Sequence, residues 1–107
     1  LKIVKEDGDM KKNDVGAVLI FTITSPSDTP VSLVTATAAT LTILNAQNVK
    51  STKTMSFYNT TAGKVSYTIE AGDLTSTGMY KFEVYLEFTG GNKFTSSRTF
   101  DVVEPTL

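Results

Sequence analysis

Residues 75–88 read Thr75-Ser76-Thr77-Gly78-Met79-Tyr80-Lys81-Phe82-Glu83-Val84-Tyr85-Leu86-Glu87-Phe88. From Tyr80 the stretch alternates without a break. Tyr80, Phe82, Val84, Leu86 and Phe88 fall on one face, and Lys81, Glu83, Tyr85 and Glu87 on the other. Side chains alternate across a strand, so this is a strand with one core face and one wet face. Its entry, Gly78-x-Tyr80, has the form of a tyrosine corner. In that device a tyrosine near the start of a strand bonds its hydroxyl back to backbone a few residues upstream. Domains that pair the corner with a core disulfide carry their second cysteine two residues after the tyrosine. Here that position is Phe82, and the chain has no cysteine at all.

Working outward, the same period of two recurs. Residues 2–5 form a short first strand, and residues 6–14 are a charged turn. Residues 17–24 read as a strand with Leu19, Phe21 and Ile23 inward. Its other face carries Val18 and Ile20, which are apolar too, so that face is expected to be partly covered. Two prolines in residues 25–31 mark a loop, because proline cannot sit in a central strand. Residues 38–44 alternate with Ala39, Leu41 and Ile43 on one face. Residues 45–48 are a turn, and residues 49–57 a lysine- and threonine-rich strand of the kind found at a sheet edge. A turn at 59–63 leads to a strand over 64–69 with Val65, Tyr67 and Ile69 inward. Residues 70–78 cross into the tyrosine strand. Thr89-Gly90-Gly91-Asn92 is a hairpin turn, since glycine adopts the positive φ values it needs. The last strand, 93–103, places Phe94, Phe100 and Val102 on one face, interrupted by Ser96 and Arg98. A bulge near Ser97 would account for the interruption.

These observations give about seven strands with turn signals every ~8–12 residues. The reading is all-β: an immunoglobulin-like antiparallel β-sandwich without a disulfide. Gly78, Tyr80, Phe82, Phe21 and Leu41 are its expected structural residues. A small closed barrel has the same strand count, and the tyrosine corner favours the sandwich. At 107 residues the chain fits one domain. It divides into a first strand and charged turn over 1–14, a core sandwich over 15–104, and an exit to a following segment over 105–107.

Composition narrows the function classes. A formal net charge of −1 argues against nucleic acid as a partner, because such binders carry a basic stripe. No apolar run approaches the ~18 residues of a membrane span. The chain has neither histidine nor cysteine. That removes the usual general base, cysteine metal sites and serine–histidine triads, so an enzyme is not expected. No nucleophile elbow occurs either. Carbohydrate-binding sandwiches usually present aromatic platforms, and this chain has no tryptophan and four tyrosines.

The order of features resembles the immunoglobulin-like N-terminal domain of phage baseplate upper proteins, from phages and prophages of Gram-positive bacteria. The residues that carry the resemblance span about 15–104. They are Val18-Leu19-Ile20-Phe21-Thr22-Ile23-Thr24, Thr29-Pro30-Val31-Ser32-Leu33, Gly63-Lys64-Val65-Ser66-Tyr67-Thr68-Ile69 and Thr77-Gly78-Met79-Tyr80-Lys81-Phe82-Glu83-Val84. Phe88-Thr89-Gly90-Gly91-Asn92 leading to Phe100-Asp101-Val102-Val103 completes the set. The segment 34–40 is longer than the family's usual link, and the hairpin 45–48 lacks its Pro-Asp-Gly turn. The resemblance implies a structural role in the virion, at the phage tail. There the domain would join the baseplate core to receptor-binding tips through contacts with other tail and baseplate proteins. It also implies a homotrimer in the full-length protein, no cofactor and no catalytic residues. The same fold serves as a spacer in bacterial cell-surface proteins and adhesins, which is the alternative.

Few residues stand out as sites. Asp7, Asp9 and Asp14, with Glu6, form an acidic cluster that could hold calcium, though Lys11 and Lys12 sit among them and a solvated turn is the plainer reading. Asn59-Thr60-Thr61 fits a glycosylation sequon and equally an ordinary turn. Glu70 and Asp73, near Tyr80, pair two carboxylates without a partner base, which favours a turn-capping role for Asp73. Val18, Ile20, Tyr58, Met79 and Tyr85 are the candidates for an interface, as apolar groups expected to face outward.

Overall fold

A computed structural model describes residues 2–6 and 10–104. Nine strands follow one another: β1 (Lys2–Lys5), β2 (Met10–Lys11), β3 (Val18–Thr24), β4 (Ala36–Leu44), β5 (Lys50–Thr54), β6 (Ser56–Asn59), β7 (Lys64–Thr68), β8 (Gly78–Phe88) and β9 (Lys93–Val103). They form two sheets, ordered β1-β3-β7-β6 and β2-β9-β8-β4-β5. This is the strand order of an immunoglobulin-like sandwich, an A-B-E-D sheet facing a G-F-C sheet extended by one further strand at each edge, β2 and β5.

Nine segments stand where about seven strands were read, for two reasons. The run 49–57 is not one strand. Met55, buried and donating its N–H to the Ala39 carbonyl at 3.0 Å, ends β5 in the second sheet, and the chain then enters the first sheet as β6. Both pieces are sheet edges, as the lysines and threonines suggested. The charged segment near the start also adds a two-residue strand, β2. It runs parallel to β9, with Met10 beside Val102 and Lys11 beside Val103.

The core lies between the sheets and is built from the alternating positions. Phe21, Leu41, Tyr80 and Phe82 are wholly buried, as are Ile3, Ile43, Ile69 and Leu86. Phe21 on β3 and Phe82 on β8 approach with ring centroids 6.1 Å apart, and Phe100 lies 5.8 Å from each. These are the two strands that the core disulfide joins in antibody domains. An aromatic contact therefore spans the gap, at an offset, tilted geometry such pairs favour.

The expected bulge near Ser97 is absent. β9 pairs with β8 in unbroken register from Gly78↔Val102 to Glu87↔Lys93. Ser96 and Arg98 share the inner face with Phe94 and Phe100 for a different reason. β9 is eleven residues long, whereas β1, the strand of the other sheet that contacts it, has four. The inner face of β9 therefore runs past its cover, and polar residues are tolerated there. Arg98 Nη1 donates to the Ile3 carbonyl at 3.4 Å, and its guanidinium lies 5.5 Å from the centre of the Phe100 ring.

Candidate functional site

The corner has the geometry the sequence implied. Gly78 opens β8 at φ +122°, and a Cβ there would come within 3.0 Å of the Ala46 side chain. The buried Tyr80 hydroxyl donates to the Ser76 carbonyl at 2.9 Å and lies 3.0 Å from Ser76 Oγ. Ser76 Oγ reaches on to Gln47 Oε1 at 2.9 Å, tying the crossing loop to the turn between β4 and β5.

A polar cluster sits at the other end of the same crossing loop. Lys53 pairs across the sheet with Leu41, so its side chain starts on the inner side of edge strand β5. Its ammonium meets Asp73 at 3.2 Å and Glu70 at 3.3 Å. Asp73 is buried to 4% side-chain exposure, accepts the Glu70 N–H at 2.9 Å and accepts a hydrogen bond from the Tyr67 hydroxyl. Burial pushes the Asp73 carboxyl up, but the bonds from Tyr67, Glu70 and Lys53 outweigh it and hold the group below the usual carboxylate range. Tyr67 is driven well above the ordinary phenol value by burial first, and then by its bond to Asp73. Lys53 is raised by its hydrogen bonds to Asp73 and Glu70.

This arrangement is a lock rather than a reaction centre. Each Asp73 oxygen is engaged, and the raised Tyr67 and Lys53 and the lowered Asp73 keep the phenol and the ammonium protonated against an ionised carboxylate. The two carboxylates do come together, yet around Tyr67 on β7 and not Tyr80. Asp73 caps the turn as expected. The roles of Lys53 and Tyr67 were not read from sequence. The one available signal was a lysine in register with inward-facing Met55, a pattern that places a charge on the core side of an edge strand.

The interface candidates do not converge. Val18 and Ile20 lie on the outer face of the first sheet, opposite Thr68 and Ser66 of β7. Val18 is 53% exposed and Ile20 half-buried, so the outer face is partly covered as anticipated. Tyr58 is exposed on edge strand β6. Met79 and Tyr85 belong to the second sheet: Met79 is exposed, and Tyr85 is half-buried with its hydroxyl on Glu87 Oε1 at 2.7 Å. Single exposed apolar residues of this kind are ordinary on a domain surface.

The remaining candidates read as turn chemistry. Asp14 accepts the Lys11 N–H at 3.1 Å, and Glu6 pairs with Lys64, which also donates to Thr22. Asp7 and Asp9 lie outside the described residues, as do residues 105–107. No cluster of three metal-ligating side chains occurs among the described residues. Asn59 Oδ1 accepts from the Thr61 hydroxyl at 3.0 Å and the Ala62 N–H at 3.2 Å, closing the turn before β7.

No family model matches the chain, and no curated protein matches it in sequence. Among solved structures, the crystal structure of CopC from Methylosinus trichosporium OB3b is similar, with a TM-score of 0.57 over 98% of this chain and 98% of that one. Sequence identity between the two is 10%, so the likeness is one of fold, the immunoglobulin-like β-sandwich.

Proposed function

We propose that this domain is a non-enzymatic structural module of a phage tail baseplate, joining the baseplate core to receptor-binding tips by protein–protein contacts. The observation that carries the reading is the order of two stretches, Gly63-Lys64-Val65-x-Tyr67-x-Ile69 followed by Thr77-Gly78-x-Tyr80-Lys81, which resembles that family. In the fold they become β7 and β8, joined by the corner and by the loop that Asp73 locks.

The placement of the chain ends supports a connecting role. Lys2 pairs with Thr24 and forms an ion pair with Asp28 at one end of the sandwich. Glu104 lies beside Lys12 at the other, next to the corner. The body between them has a long axis of 44 Å against 24 and 23 Å across. A module whose two ends point apart transmits position along its axis. On this reading its partners are other tail and baseplate proteins, it sits in the virion, and the full-length protein assembles as a homotrimer. The reading takes neither nucleic acid nor a membrane as a partner, and the formal net charge of −1 supports the first of these.

The same opposed ends suit a second reading, a spacer domain of a bacterial surface protein or adhesin. Immunogold electron microscopy separates the two. An antibody against the domain is applied to induced phage particles and to intact cells of the source strain. Gold at the tail tip is the expected result. Gold on cell walls with bare particles would overturn the baseplate reading in favour of the spacer.

A further inference from the structure

We draw no further inference here: the strongest candidate, a 320 Å³ cleft beside β3 lined by the buried Met10, Leu19, Ile69 and Leu74 and by Glu6, carries nothing, because residues 7–9, which join Glu6 to Met10, lie outside the described residues and nothing in the structure shows what covers it.

Discussion

The tyrosine corner can be tested by deleting a single oxygen. We predict that Tyr80→Phe lowers stability by ~1–2 kcal/mol. The figure follows from the bonds the hydroxyl makes. It donates to the Ser76 carbonyl at 2.9 Å, lies 3.0 Å from Ser76 Oγ, and accepts the Ser76 N–H at a longer 3.3 Å. A typical net bond contributes ~0.5–1.5 kcal/mol, so two good bonds and one poor one could exceed 2. Ser76 is half-buried, however, and water can replace part of what its backbone loses. The ring itself stays in the core beside Phe82, so no large cavity forms. The assay is urea unfolding followed by circular dichroism. With a slope of ~1–1.5 kcal/mol/M for a domain this size, the midpoint should fall by ~1 M while the slope is unchanged. Ser76→Ala should cost less, because the bond to the backbone carbonyl survives it. An unchanged midpoint in Tyr80→Phe would refute the corner as a stabilising device here.

Four further outcomes are expected. Phe82→Ala, which empties the aromatic contact between the sheets, should destabilise by ~3–5 kcal/mol in the same unfolding assay. Gly63→Ala should lose at least ~2 kcal/mol by thermal melting, because Gly63 has φ +72° and its new Cβ would lie 2.5 Å from the Val31 carbonyl oxygen. Gly72→Ala, at φ +91° with open space around it, should lose only ~1 kcal/mol. The Asp73 carboxyl is held below its ordinary value, so its contribution is present above about pH 4 and lost as pH falls through the folded value. Tyr67 is raised, so its contribution is full below its ordinary value of 10.0 and is lost as pH rises beyond it. Asp73→Asn should flatten the acid limb of a plot of urea midpoint against pH, and an unflattened limb would exclude Asp73 as its source.

What the sequence revealed, and what it hid, follows one physical line. Strands with one buried face were legible, because burial imposes a period of two: every inward residue read for β3, β4, β7 and β8 is buried or half-buried. The corner was legible because its glycine and tyrosine have specific backbone and hydroxyl tasks. The break at Met55 was not, since alternation continues straight through it: Met55 faces the core from one sheet and Phe57 from the other. The Lys53–Asp73–Tyr67 lock was hidden for a related reason. It joins an edge strand, a loop and a central strand whose proximity only the strand order creates. Ser96 and Arg98 suggested a bulge because the pattern assumes full cover for every inner position, and β1 is too short to supply it.

The parallel pairing of β2 with β9 has a mechanical consequence. Tension applied between Lys2 and Glu104 would draw these two strands past each other along their length rather than peel them apart. The hydrogen bonds between them, and the Lys12 bond to the Val103 carbonyl, would then carry load together rather than in sequence. β1 would be pulled along β3 in the same sense. The domain should therefore resist end-to-end stretching better than its small contact at β2 suggests, and it should yield first where that contact slips.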